Sequence, residues 1–222
     1  MDQTPPVERR AREERAEPRR ITPAESAAAE AHAALVREAA RCTRCELYKA
    51  ATRTVFGEGP VRAKLMLVGE IPGDYEDRRG RPFVGPAGRL LDSALEQAGL
   101  DRSRVYLTNA VKHFKFELRG RRRQHRPPSI GEINACHYWL ERELALVDPR
   151  AVLAMGGTAA RAVLGRPVRV LQARGRLTEL APGRMAMVTM HPSAILRMPE
   201  EPQRHEAFQA LVADLRMLRE HV

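Results

Sequence analysis

The residues best suited to chemistry are scattered along the chain, and each has a plainer alternative use. Cys42 and Cys45 form a Cys-x-x-Cys pair, the spacing that lets two thiolates meet one metal centre, and Cys136 is the third and last cysteine. An odd cysteine count argues against a disulfide framework. Glu70 sits in Gly-Glu-Ile-Pro-Gly-Asp-Tyr-Glu-Asp (69–77), directly after an apolar run. A carboxylate on such a turn can act as a base or orient a partner, with Asp74 and Asp77 nearby, or it can simply cap the turn. Phe83 lies between Pro82 and a Val-Gly-Pro turn, where it could stack on a flat ligand or fill the core. Asn109 ends an apolar run, and its amide can donate and accept together, as reading a base edge requires. His113 lies between basic residues, and His125 follows Arg121, Arg122, Arg123 and Gln124. His191 opens His-Pro-Ser-Ala-Ile-Leu-Arg (191–197), where an imidazole could donate to a developing oxyanion or cap a turn.

Charge narrows the partners. The net charge is +10, with 38 Lys and Arg against 28 Asp and Glu. Residues 112–126 (KHFKFELRGRRRQHR) hold seven Lys or Arg and one Glu, more than half of the excess. Clustered positive charge on a basic domain points to a polyanion, most often nucleic acid, although a solvated arginine-rich loop also fits. No apolar run reaches the ~20 residues that span a bilayer, and the first residues lack the apolar stretch of a secretory signal. A soluble intracellular protein is expected. Residues 1–22 are charged, proline-containing and poor in large apolar groups, and are expected to be a disordered tail ahead of one domain at 23–222.

The elements that must position these residues alternate in type. An alanine-rich helix is predicted from Pro23 towards Cys42. Residues 64–69, 105–109, 151–155 and 185–190 read as buried strands, and 87–98, 129–146, 158–164 and 206–218 as helices. Ser129 with Glu132 three residues later is a capping box. Such alternation predicts a parallel sheet covered by helices on both faces. Ligands of that fold bind outside the carboxyl ends of the strands. The rule selects 69–77, 109–125, 156–158 and 191–197, which contain Glu70, Asn109, His113, His125 and His191.

Taken in order, GE-x-PG, PFVGPAG, TNAVK-H-F-K-F, the Arg-Arg-x-His stretch and HPSA-x-LR resemble the uracil-DNA glycosylase superfamily over about residues 40–220. The iron–sulfur branches, family 4 and UdgX, look most similar, and the inserted basic loop ending in His125 resembles UdgX. The resemblance implies a three-layer α/β/α sandwich with a central four-stranded parallel sheet. It also implies a cytoplasmic enzyme of the bacterial cytosol or nucleoid that excises uracil from DNA, especially single-stranded DNA, as a monomer. By the same resemblance, Gly69, Ile71, Phe83 and Asn109 would contact uracil and His191 would donate to its O2. Glu70 would hydrogen-bond to His125, which would attack C1′ and stay attached. Arg121, Arg122, Arg123 and Arg197 would serve the DNA side, with Asp74 or Asp77 bracing Arg123. The chain departs from UdgX at Ile71, where Gln is usual.

The resemblance also implies a [4Fe–4S] cluster. Family 4 relatives use four cysteines, and His113 stands where this chain lacks the fourth, beside Cys42, Cys45 and Cys136. Three thiolates and one imidazole also make a structural zinc set; the resemblance favours iron. Two other readings remain open: a glycosylase that releases its product, and a non-catalytic metal-containing DNA-binding protein.

Overall fold

Strands buried on both faces need apolar side chains pointing both ways, and the runs 65–69, 105–109 and 151–155 meet that need. In the computed structural model, which describes residues 22–222, they form β1 (Leu65–Gly69), β2 (Val105–Asn109) and β5 (Ala151–Met155), each buried throughout. With β7 (Arg184–Thr189) they make the expected four parallel strands, in the order β2-β1-β5-β7. A fifth strand, β6 (Leu177–Ala181), extends the sheet antiparallel to β7. The expected tail at 1–22 lies outside the described residues except for Thr22.

Side chains alternate between the two faces of the sheet. Met66, Val68, Val152 and Ala154 pack towards α1 (Pro23–Ala39), α4 (Ile130–Val147) and α5 (Gly157–Leu164). Leu65, Leu67, Leu153 and Met155 pack on the opposite face, towards α3 (Pro86–Gln97) and α8 (Glu201–Arg219). The result is the three-layer α/β/α arrangement. Thr22 and Glu25 form a capping box at the start of α1, and Ser129 and Glu132 do the same for α4. Three short helices complete the helical layers: α2 (Asp74–Arg79), α6 (Val170–Ala173) and α7 (Pro192–Leu196). The last long helix begins at Glu201, five residues earlier than the pattern predicts, because Pro202 falls in its first turn, where proline costs no hydrogen bond. No helix among the described residues is long and apolar enough to cross a membrane.

The basic stretch is not an open loop. It folds into a hairpin of β3 (Phe116–Arg119) and β4 (Arg122–His125), with Phe116 opposite His125 and Gly120 at positive φ in the turn. Arg123 docks it. Its Nε lies 2.5 Å from Asp74 Oδ1, and its Nη1 donates to Asp77 Oδ2 at 2.7 Å and Thr52 Oγ1 at 3.1 Å. Its guanidinium also stands over Phe114 and Phe116, 5.3 and 5.0 Å from the ring centroids. Asp77 is fully buried and also accepts from Thr52 N at 2.9 Å, so this anchor is shielded from solvent.

Arg123→Met should therefore leave Asp77 buried without its cation. The expected cost is about 2 kcal/mol, with the loss concentrated in the hairpin. Hydrogen exchange checks it: amides of residues 116–125 should exchange faster while those of β1 and β5 stay protected. Unchanged hairpin exchange would show that other contacts dock it.

Candidate active site at the carboxyl edge of the sheet

β1 and β2 end side by side, with Gly69 paired to Asn109. A Cβ on Gly69 would come within 2.3 Å of Asn109 Oδ1 and 2.6 Å of Phe83 Cζ, so only glycine allows the amide and the ring to close over the strand end. Phe83 is buried and has φ of 53°, an uncommon conformation for a bulky residue. Gly88 permits it, since a Cβ there would fall 1.9 Å from the Phe83 carbonyl oxygen. Glu76 ties the flanking turns together by accepting from Gly85 N at 2.7 Å and Gly73 N at 3.2 Å.

These residues enclose a cavity of about 210 Å³. That is below the ~300–1,000 Å³ of drug-sized pockets and leaves room for one small group. Phe83, Asn109 and Ile71 line it, together with Glu70, His125, His191, Ser193 and Arg197. A larger groove of about 1060 Å³ lies at the other end of the strands, beside Leu65 and Val105, away from every candidate residue.

Glu70 is held by α5, whose Thr158 Oγ1 donates to Glu70 Oε1 at 3.0 Å. The sequence pattern selected segment 156–158 but gave Thr158 no task, because the contact joins residues 88 positions apart. The expected Glu70–His125 hydrogen bond is not formed. The two groups line one cavity and act on each other through charge. Loss of solvent around the His125 ring lowers its pKa from the ordinary value; Glu70 opposes this and Arg197 reinforces it. The ring also lies 6.1 Å from that of Phe114.

His191 has a defined tautomer. Ser193 N donates to its Nδ1 at 3.1 Å, and a backbone N–H can only donate. The proton is therefore on Nε2. Burial first, then Arg197 and His125, push its pKa down to about 4. The ring is thus a neutral N–H donor near pH 7, lying nearly parallel to Phe83 with centroids 6.2 Å apart. Ser193 also places its hydroxyl 2.8 Å from Nδ1 and accepts from Arg197 Nη1 at 3.2 Å. Ser193 is visible in the His-Pro-Ser motif only as a turn residue.

The remaining candidates lie outside the cavity. Asp74 and Asp77 grip Arg123, while Arg121 and Arg122 are exposed on the hairpin. Cys42, Cys45 and Cys136 belong to one packed cluster. Cys42 Sγ accepts from Trp139 Nε1 at 3.1 Å and Cys136 Sγ from Lys112 N at 3.2 Å. Burial raises the Cys45 pKa and pushes that of Cys136 up to about 12, and the neighbouring thiols add to both. His113 is buried, which lowers its pKa. Thr54 Oγ1 donates to Ala39 O at 2.9 Å and so accepts from His113 Nε2 at 2.8 Å. That bond leaves the His113 Nδ1 lone pair for a ligand, as a metal-binding imidazole requires. The same Ala39 carbonyl accepts from Cys42 N at 3.0 Å. The donor set thus fits a metal cluster in chemistry and tautomer. Among the described residues, no three His, Cys, Asp or Glu side chains gather as a site for one ion.

The fold and the cavity together define a three-layer α/β/α protein with a small cavity at the carboxyl edge of its sheet, lined by Phe83, Asn109 and His191 among others. A family profile described as the uracil DNA glycosylase superfamily matches residues 56–216, and the chain belongs to that superfamily. It is 36% identical to a type-4 uracil-DNA glycosylase of Thermotoga maritima, over 71% of this chain and 79% of the relative. It is 37% identical to one of Pyrobaculum aerophilum over 71% and 81%, and 33% identical to one of Archaeoglobus fulgidus over 78% and 87%.

Gly69→Ala should overpack the strand end. The expected loss is about 2 kcal/mol of stability, read as a lower melting temperature. An unchanged melting temperature would contradict the close approach described for Asn109 and Phe83.

Proposed function

We propose that this protein excises uracil from DNA and that His125 then bonds to C1′ of the same nucleotide. One observation carries the reading: the hairpin histidine and the carboxylate after β1 line a single small cavity with Phe83, Asn109 and His191. The target nucleotide must leave the stack or already be single-stranded to reach such a cavity. Exposed Arg119, Arg121 and Arg122 on the hairpin would neutralise phosphates.

Uracil would stack on Phe83, and the Asn109 amide would accept from its N3–H and donate to O4, a pattern that cytosine reverses. His191 Nε2–H would donate to O2 as the C1′–N1 bond breaks and its electron pair moves onto the base. The departing uracil anion leaves an oxocarbenium-like sugar. The neutral His125 ring supplies its lone pair to C1′, and the proton on its other nitrogen passes to Glu70. That proton then serves the uracil anion, directly or through solvent, so charge balances. Thr158 fixes one Glu70 oxygen, and the other would take the proton from the histidine. An N-glycosyl imidazole has a poor leaving group, so the DNA stays attached.

Cys42, Cys45, His113 and Cys136 would hold a [4Fe–4S] cluster, whose contribution is structural: it would tie the segment after α1, the turn after β2 and α4 into one support. Each donor in such a cluster binds a different iron, so the four need not meet at one point. Protein purified without air should be brown and contain iron and sulfide; zinc without iron would contradict this.

A turnover glycosylase is the second reading, favoured by the Thr158–Glu70 hydrogen bond, which would equally hold a carboxylate to activate water. Uracil-containing single-stranded DNA separates the two. Wild type should give a protein–DNA band that survives boiling in detergent, and His125→Ala should give none. Excision without the band in wild type would select turnover, and an equal band from the variant would exclude His125 as the attachment point.

The pH dependence follows from charge. Attack needs neutral His125, whose folded pKa lies below the ordinary 6.5. The band-forming rate should hold as pH falls to 6.5 and decline only below it. Because Glu70 favours the imidazolium, Glu70→Gln should shift that decline to still lower pH. A midpoint above 6.5 in wild type would contradict the assignment.

A further inference from the structure

Lys112 is the least expected residue of the interior: a fully buried ammonium one strand end from the cavity. Its Nζ forms an ion pair with Glu143, also fully buried, and donates to Thr108 Oγ1 at 2.7 Å and Asn109 O at 2.6 Å. All three ammonium protons are thus used. Glu143 is satisfied without Asn109, since it also accepts from Gly57 N, Tyr106 OH and Thr108 Oγ1 at 2.9–3.0 Å. The bond to Asn109 is the one that leaves this closed network and reaches the cavity.

The topology explains why that bond is needed. β2 is an edge strand. The Ala110 N–H points to β1 and bonds Gly69 O at 2.9 Å. In a trans peptide the Asn109 carbonyl points the opposite way, beyond the single antiparallel bridge that Glu58 makes with Leu107, and no further strand among the described residues receives it. Lys112 Nζ supplies the missing partner. The peptide after Asn109 is then fixed on both sides, and with it the direction of the Asn109 side chain.

We propose that Lys112 is a positioning residue for base selection: its ammonium locks the Asn109 peptide and so aims the Asn109 amide at the base. The proposal rests on the reading of Asn109 as the base reader. A buried ion pair contributes little net stability compared with neutral residues of similar shape, so its value lies in geometry.

The test pairs Lys112→Met with Glu143→Gln, which removes both charges and keeps acceptors for Gly57 and Tyr106. The pair variant should keep its melting temperature within a few degrees and its iron content. Its preference for uracil over cytosine, as a ratio of single-turnover excision rates on single-stranded DNA at subsaturating substrate, should narrow about tenfold or more, the worth of one bidentate contact. The Asn109 side-chain amide resonances, identified by their loss in Asn109→Asp, should shift. Lys112→Arg, which retains the charge, provides the same comparison if the neutral pair fails to fold. A folded variant with unchanged base preference and unchanged Asn109 resonances would overturn the proposal, and so would failure of both variants to fold, which would make Lys112 a plain stability element. A wild type that excises no uracil would defeat the functional reading alone, since the Asn109 resonances would still decide the role of Lys112.

Discussion

The guanidinium of Arg123, held between Asp74 and Asp77, joins two pieces of chain that are otherwise far apart. One is the turn and short helix after β1, which carries Glu70. The other is the hairpin that carries His125. A two-stranded hairpin is marginal alone and needs something to pack on. The aromatic rings of Phe114 and Phe116 and the buried carboxylate of Asp77 provide that, and the docked hairpin then completes the wall of the cavity. The basic charge of the segment thus has two uses. Arg123 faces inward as an anchor, and its neighbours Arg121 and Arg122 face outward to solvent.

Behind this anchor, the sheet edge is organised by close approach. Gly69 lets Asn109 and Phe83 meet over the end of β1, Gly88 lets Phe83 take its left-handed backbone, and Glu76 ties the two flanking turns. The polar groups are oriented from outside the cavity: Thr158 for Glu70, Ser193 for His191, Lys112 for the Asn109 backbone. Each orienting group fixes an acceptor or a tautomer, so the cavity presents a set pattern of donors and acceptors before any ligand enters.

Much of this was legible in the residues. β1 and β5 show as apolar runs, and β2 starts as one, because both their faces are buried; the carboxyl-edge rule then pointed to Glu70, Asn109, His125 and His191, which line the cavity, and to His113, which does not. β6 was not legible, since Leu177–Ala181 (LTELA) is an edge strand with little buried surface and no apolar run. The hairpin was masked by its arginines, which hide any alternation of apolar and polar residues. Thr158 and Lys112 were missed because their roles arise from contacts between side chains on different elements. The bond expected between Glu70 and His125 is replaced by one from Thr158, a choice that only the three-dimensional position of α5 could reveal.

On the proposed reading, an imidazole beside a carboxylate would reach the sugar before water does. Peptide mapping tests this directly. Wild-type protein reacted with uracil-containing DNA would be digested with protease and nuclease, and the modified peptide sequenced by mass spectrometry. The account predicts a deoxyribose remnant on His125, with free uracil released in equal amount. A remnant on another residue, or released uracil with every peptide unmodified, would contradict it.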